Sequence, residues 1–281
     1  MKEDLLTVSP IVSVDWLHSN LSDENILVLD SSLNSTVDGK HTEYAGKVIP
    51  GALYFDLKNN FSDQTSNFPN TVPSEEQFES ECHKLGISND TLIVVYDNMG
   101  VYSSPRVWWL FQVMGHQNVF ILDGGLPAWI EAGKEVVDDY QHNIKTGSFK
   151  AVMNTSLVVS FEQIRQNCTV GDFTILDARS EGRFKGSSPE PRKELKSGHI
   201  PNSINLPYQS VLEGYQFKRP DDLKQLFDSV STQDVPMVYS CGSGLTACIV
   251  LVAGLIAGRR SLKVYDGSWT EWAVKNGLVI E

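Results

Sequence analysis

The chain contains itself twice, and no other feature restricts its fold as tightly. Ser13 opens "SVDWL" and Asp30 closes "ILVLD", while Ser160 opens "SFEQI" and Asp177 closes "TILD", both at an offset of 147. Pro50 of "VIPGALYFD" then matches Pro201 of "HIPNSINLP" at an offset of 151, so the second copy has gained residues between Asp177 and Pro201. Further on, "LIVVYD" matches "PMVYS", and Asp123 and Trp129 match Asp266 and Trp272 at an offset of 143. A self-match of this period is a domain-sized repeat. It implies a first domain over 1–135, a polar linker without clear period over 136–158, and a second domain over 159–281.

Within each copy, short runs rich in Val, Ile and Leu alternate with helical patterns. That predicts an α/β fold: two tandem domains, each a parallel sheet flanked by helices on both faces. The expected strands are Ile26–Leu29, Leu92–Tyr96, Val119–Leu122, Thr174–Leu176, Met237–Ser240 and Lys263–Tyr265. Ser74-x-x-Gln77 and Ser160-x-x-Gln163 read as capping boxes that start helices.

The chemistry points to "CGSGLT", Cys241–Thr246, which joins a buried strand to the apolar run "ACIVLVAGLIAG". In an open α/β sheet, reactive groups collect just beyond the carboxyl ends of the strands. Gly242 and Gly244 let the backbone curl so that N–H groups converge, and the following helix adds positive partial charge at its N-terminus. Such a nest favours a thiolate. The plainer alternative is a small core cysteine beside a turn. The repeat argues against it, because the matching loop "DNMGVYSSPR" places Asn98 opposite Cys241, so only one copy carries the thiol. Cys248, inside the apolar run, reads as packing.

Composition narrows the function. A formal charge of −12 disfavours nucleic acid and anionic membranes as partners. Four cysteines without C-x-x-C spacing make a disulfide scaffold improbable. No apolar stretch reaches a membrane span, and the acidic opening "MKEDLLTVSP" does not look like an export signal, so a cytoplasmic protein is expected. No His, Cys and acidic residues cluster at zinc spacing, so neither metal nor organic cofactor is expected.

Tandem copies, a strand ending in "CGSGLT", "DGSW" after the next strand, and "GRF" followed by "PEPR" together resemble the two-domain rhodanese superfamily over nearly the whole chain. The resemblance implies a sulfurtransferase. Cys241 would take sulfur from a donor as a persulfide and pass it to thioredoxin, a low-molecular-weight thiol or cyanide, while the first copy is catalytically silent. It also implies that Arg183 and Arg192 grip the donor's carboxylate, that Gly242, Gly244, Leu245 and Thr246 cradle it, and that Tyr102 reaches the site from the other domain. Thiosulfate-using members carry Arg and Lys directly after the cysteine. Gly242 and Ser243 make this loop neutral, which points to the branch using 3-mercaptopyruvate, an anionic thiol, and releasing pyruvate. The alternatives are a thiosulfate sulfurtransferase and a non-enzymatic persulfide carrier or docking module.

One departure concerns proton transfer. Related enzymes are proposed to use a Ser-His-Asp relay; Ser243 and Asp30 match it, but Val48 stands where the family commonly has His. Ser243 is therefore expected to bond the donor directly, with Asp30 at most a supporting residue. His199 reads as turn-stabilising. A phosphatase loop, Cys-x5-Arg, is excluded because Ala247 occupies the arginine's place.

Overall fold

The computed structural model describes residues 9–37, 39–142, 144–231 and 235–278. Most of the acidic opening segment, Met1–Val8, lies outside them. Two compact units divide the chain: one comprises Met1–Gln64, Val72–Asn154 and Glu213–Phe217, the other Thr65–Thr71, Thr155–Leu212 and Lys218–Glu281. Each unit thus takes in a short segment from the other copy's stretch of chain. Residues after 135 up to Asn154 belong to the first unit, where Gln141 N–H donates to Ala52 C=O, Gly147 N–H to His83 C=O and Phe149 N–H to Ile87 C=O.

The first unit runs β1 (Ile11–Val12), α1 (Val14–Asn20), β2 (Ile26–Asp30), β3 (Leu53–Tyr54), α2 (Glu75–Lys84), β4 (Leu92–Tyr96), α3 (Ser104–Val113), β5 (Val119–Leu122) and α4 (Gly125–Glu131). Its five strands are all parallel, in the order β1-β5-β4-β2-β3. The second unit's elements are β6 (Val158–Val159), α5 (Phe161–Val170), β7 (Thr174–Asp177), α6 (Glu181–Lys185) and β8 (Ser203–Asn205), then α7 (Pro220–Val230), β11 (Met237–Ser240), α8 (Ala247–Ile256), β12 (Lys263–Tyr265) and α9 (Ser268–Lys275). A two-stranded ribbon, β9 (Leu212–Glu213) and β10 (Gln216–Phe217), precedes α7. The second sheet, β6-β12-β11-β7-β8, is again parallel and repeats the first strand for strand.

Parallel strands are covered on both faces, which is why they read as continuous apolar runs rather than alternating ones. All four residues of β11 are buried, as are the last four of β4. α8 is buried from Ala247 through Gly254, as fits a helix that is apolar all round. Ser160 forms the full expected capping box with Gln163. Ser74 accepts the Gln77 N–H, but the Gln77 side chain donates to Asn60 and Ser62 carbonyls instead of reaching back. No helix among the described residues is long and apolar enough to cross a membrane.

Strand register corrects one sequence match. Asp30 pairs with Tyr96 across β2 and β4, and Asp177 pairs with Ser240 across β7 and β11. The residue in the cysteine's position in the first unit is therefore Asp97, not Asn98. The shared "VY" of the two strands had suggested a match one residue out of step. Equivalent bonds agree: Leu126 N–H donates to Asp97 C=O and Trp269 N–H to Cys241 C=O, each at 2.9 Å.

Candidate active site

β11 delivers Cys241 to the carboxyl edge of the second sheet, and Gly242–Thr246 lead into α8. The loop is pinned from the start of α9. Ser268 Oγ accepts the N–H groups of Cys241 and Gly244, both at 3.1 Å, and donates to Tyr265 C=O at 2.8 Å. To do so Ser268 sits fully buried in the left-handed region, at φ +49°. Its counterpart Gly125, at φ +52°, has no room for a side chain, since a Cβ there would lie 2.3 Å from Gly100 C=O.

The first unit fills the same bend with its own anion. The Asp97 carboxylate accepts from the N–H groups of Met99, Ser103 and Ser104 and from the Ser104 hydroxyl. The bend is thus an anion cradle in the copy that lacks the thiol. In the second unit two of the loop's N–H groups are taken by Ser268, and no N–H among the described residues hydrogen-bonds the Cys241 sulfur itself. Cys241 is 1% exposed.

What surrounds this buried thiol includes charged and polar groups. The Arg183 Nη2 stands so close that a Cβ added to Gly242 would meet it at 2.9 Å. Arg192 Nη1 donates to Thr270 Oγ1 at 2.6 Å, and that hydroxyl donates to Gly242 C=O, also at 2.6 Å. Burial pushes the Arg192 guanidinium below its ordinary value, with Arg183 adding to the effect and Glu194, Glu190 and Cys241 opposing it. Both arginines therefore converge on the residue next to the cysteine. Arg183 is carried by α6, part of the stretch the second copy gained, and the loop after it folds back so that Gly198 N–H donates to Arg183 C=O at 3.0 Å.

Ser243 Oγ accepts from the Asn70 amide at 3.0 Å, and Ser243 C=O from the same nitrogen at 3.1 Å. Because an amide nitrogen only donates, the Ser243 proton stays available to another acceptor. Leu245 and Thr246 begin the turn into α8, their carbonyls accepting from the Cys248 and Ile249 N–H groups. The Cys248 thiol donates to Gly244 C=O at 3.3 Å and is buried in the helix.

Asp30 and Tyr102 belong to the first unit. Tyr102 Oη accepts the Val37 N–H at 2.7 Å. Asp30 accepts from Ser32 N–H and Tyr140 Oη, and burial raises its carboxyl above the usual range against these bonds. Val48 packs in the first core and exchanges backbone bonds with Val137. His41 bonds Asn34 C=O, and His199 bonds Phe184 C=O while stacking on the Phe184 ring.

Several site residues escaped the sequence reading. Glu190 and Ser268 lie inside the quoted "PEPR" and "DGSW", but nothing local marks their partners. Asp177 ends β7 and Arg179 follows two residues later, where a strand-end acid and a nearby arginine could have been paired by position. Asn70, 173 residues from Ser243, carries no local signal. Among the described residues no group of three or more His, Cys, Asp or Glu is gathered as a metal site.

The model of the rhodanese-like domain matches twice, over residues 13–132 and 160–275. A relative named thiosulfate/3-mercaptopyruvate sulfurtransferase 2, from Arabidopsis thaliana, is 40% identical over 298 residues, covering 98% of this chain and 87% of the relative. The 3-mercaptopyruvate sulfurtransferase of Mus musculus is 36% identical, covering 94% of this chain and 92% of the relative. The crystal structure of SseA from Escherichia coli, described as a 3-mercaptopyruvate sulfotransferase, superimposes with a TM-score of 0.83 at 32% identity, covering 93% of this chain and 99% of that one. The chain belongs to the rhodanese family, with two rhodanese-like domains in tandem. Within that family it is an enzyme of the sulfurtransferase class.

Proposed function

We propose that the enzyme moves sulfur from 3-mercaptopyruvate through a persulfide on Cys241. The Cys241 thiolate attacks the donor sulfur, the carbon–sulfur bond breaks, and its electron pair leaves on carbon as the enolate of pyruvate, which takes up a proton. An acceptor thiol then attacks the outer sulfur and leaves with it, returning the Cys241 thiolate. Thioredoxin or a low-molecular-weight thiol is the acceptor in this reading, and cyanide can serve in an assay. All four cysteines are free, which fits a reducing compartment such as the cytoplasm.

The observation that carries the reading is the convergence of Arg183 and Arg192 on Gly242, beside a loop with no charged side chain of its own. Arg183 faces Glu190, so its charge is already balanced. Arg192 supplies the remaining positive charge, suited to a single carboxylate rather than the dianion of thiosulfate. In this reading Ser243, whose oxygen accepts from Asn70, gives its own proton to the donor's carbonyl oxygen or thiol sulfur.

The test is intact-mass measurement after adding 3-mercaptopyruvate, with pyruvate release assayed in parallel. One added sulfur localised to Cys241 is expected, and none in Cys241→Ser, whose hydroxyl cannot form a persulfide. Turnover on thiosulfate under the same acceptor should be the lower of the two. Pyruvate release retained in Cys241→Ser refutes the assignment, and sulfur accepted only from a cysteine desulfurase would make the protein a carrier.

A further inference from the structure

We infer that Glu190 is the positioning residue that aims Arg183 at the donor. The inference rests on Arg183 as a carboxylate grip and adds what holds it there. Glu190 meets one edge of the Arg183 guanidinium with both carboxylate oxygens: Nη2 donates to Oε2 at 2.7 Å, and Nε donates to Oε1 at 3.2 Å and Oε2 at 3.3 Å. That bidentate grip sets the plane and rotation of the guanidinium. Nη1 makes no hydrogen bond among the described residues and is left for a ligand, while Nη2 stands over Gly242.

Glu190 is itself held from the sheet. Arg179 Nη1 donates to Glu190 Oε1 at 2.8 Å. Arg179 in turn donates from Nε and Nη2 to the Asp177 carboxylate at the end of β7, donates to Gly198 C=O, and lies over the Trp269 ring at 4.4 Å. Burial works against the charge on Arg179, but Asp177 and Glu190 outweigh it and raise the guanidinium above its ordinary value. The four side chains, Asp177, Arg179, Glu190 and Arg183, are all buried and sum to zero charge. A buried ion network of this kind adds little net stability compared with apolar packing, but it fixes geometry. Here it runs from the strand that pairs with β11 to the guanidinium above Gly242. A cleft of about 410 Å³ is lined by Glu190, Lys193 and Lys196, and no residue of the cysteine loop lines it.

The test uses the full-length enzyme and two variants. Glu190→Gln keeps the shape but presents an NH2 to one of two guanidinium donors, so one of them loses its acceptor. Glu190→Asp keeps the charge and shortens the reach. For each, kcat and KM for 3-mercaptopyruvate are measured beside the rate at which neutral iodoacetamide alkylates Cys241. The expected result is a KM raised roughly tenfold or more in Glu190→Gln, the size of one lost charge-assisted bond, and raised several-fold in Glu190→Asp. Both should keep kcat at saturating donor and alkylation within about twofold of wild type. In an Arg183→Ala background, Glu190→Gln should add nothing, because the residue acts only through Arg183.

An unchanged KM in Glu190→Asp overturns the inference, as does a kcat loss without a KM change, an altered alkylation rate, or an additive effect in the double variant. If Glu190→Gln does not fold, the Glu190→Asp results decide alone. Arg183→Ala by itself separates the two levels. Unchanged KM there removes Arg183 from the donor site and sinks the underlying reading, whereas a raised KM there with unaffected Glu190 variants sinks only this inference.

Discussion

Removing the hydroxyl of Ser268 should unfasten the cysteine loop. In Ser268→Ala the N–H groups of Cys241 and Gly244 both lose their acceptor at a position with no solvent exposure. Each orphaned buried donor costs about 1–3 kcal/mol, so the variant should lose about 2–6 kcal/mol. The backbone term gives an internal control. Serine and alanine suffer equally at φ +49°, but glycine does not, so Ser268→Gly should be about 1 kcal/mol less destabilised than Ser268→Ala despite losing the same bonds. Equilibrium urea unfolding followed by tryptophan fluorescence measures the loss. Hydrogen exchange of amides in β11, α8 and β12 assigns it to the second unit. Donor turnover should fall in both variants as the loop loosens. A loss below about 0.5 kcal/mol, typical of an inconsequential surface change, would refute the pinning role. So would an alanine variant more stable than the glycine one.

Two further outcomes test the close approach at the site and the electrostatics of the first unit. Gly242→Ala places a methyl 2.9 Å from the tip of Arg183, which can swing aside, so the fold should persist while donor KM rises several-fold; steady-state kinetics with KM unchanged would show that the contact is not needed. In the first unit, burial pushes Asp123 from an ordinary 3.8 to about 6, with the Phe217 N–H opposing the shift. The folded state therefore binds this proton more tightly than the unfolded state. Its contribution is most favourable below about pH 4 and declines by roughly 2–3 kcal/mol as pH rises to about 6. Asp123→Asn keeps an acceptor for Phe217 and should flatten that decline in urea unfolding across pH 4–7, raising stability at pH 7. A decline of the same size in the variant would assign it to another group.

Much of the fold was legible because it is written in local patterns. Parallel strands buried on both faces must be apolar throughout, and the expected Leu92–Tyr96, Val119–Leu122, Met237–Ser240 and Lys263–Tyr265 coincide with β4, β5, β11 and β12. The position of Cys241 followed from the same strand, because a chain leaving a parallel sheet at its carboxyl end presents the next residue to the surface crevice. Legibility stopped at one-residue precision. The identical "VY" in both copies placed Asn98 opposite Cys241, and only interstrand hydrogen bonding put Asp97 there. That single step changes the chemistry, since an aspartate held by four donors shows the bend to be an anion cradle and an asparagine would not.

From its residues alone the chain determined that it would fold as two like units and that one bend would carry a thiol the other lacks. Periodicity and turn chemistry act over a few residues and leave their mark in the sequence. Tertiary structure alone decided that Ser268 fastens the Cys241 backbone, that Asn70 reaches Ser243, and that Arg183 faces Glu190 with Arg179 behind it. Ser268 and Asn70 meet partners 27 and 173 residues away, and Arg183 could have paired with any nearby acid. Which partners meet was set by how the strand ends and the loops beyond them pack, because buried charges and amides must find partners where the folded chain puts them.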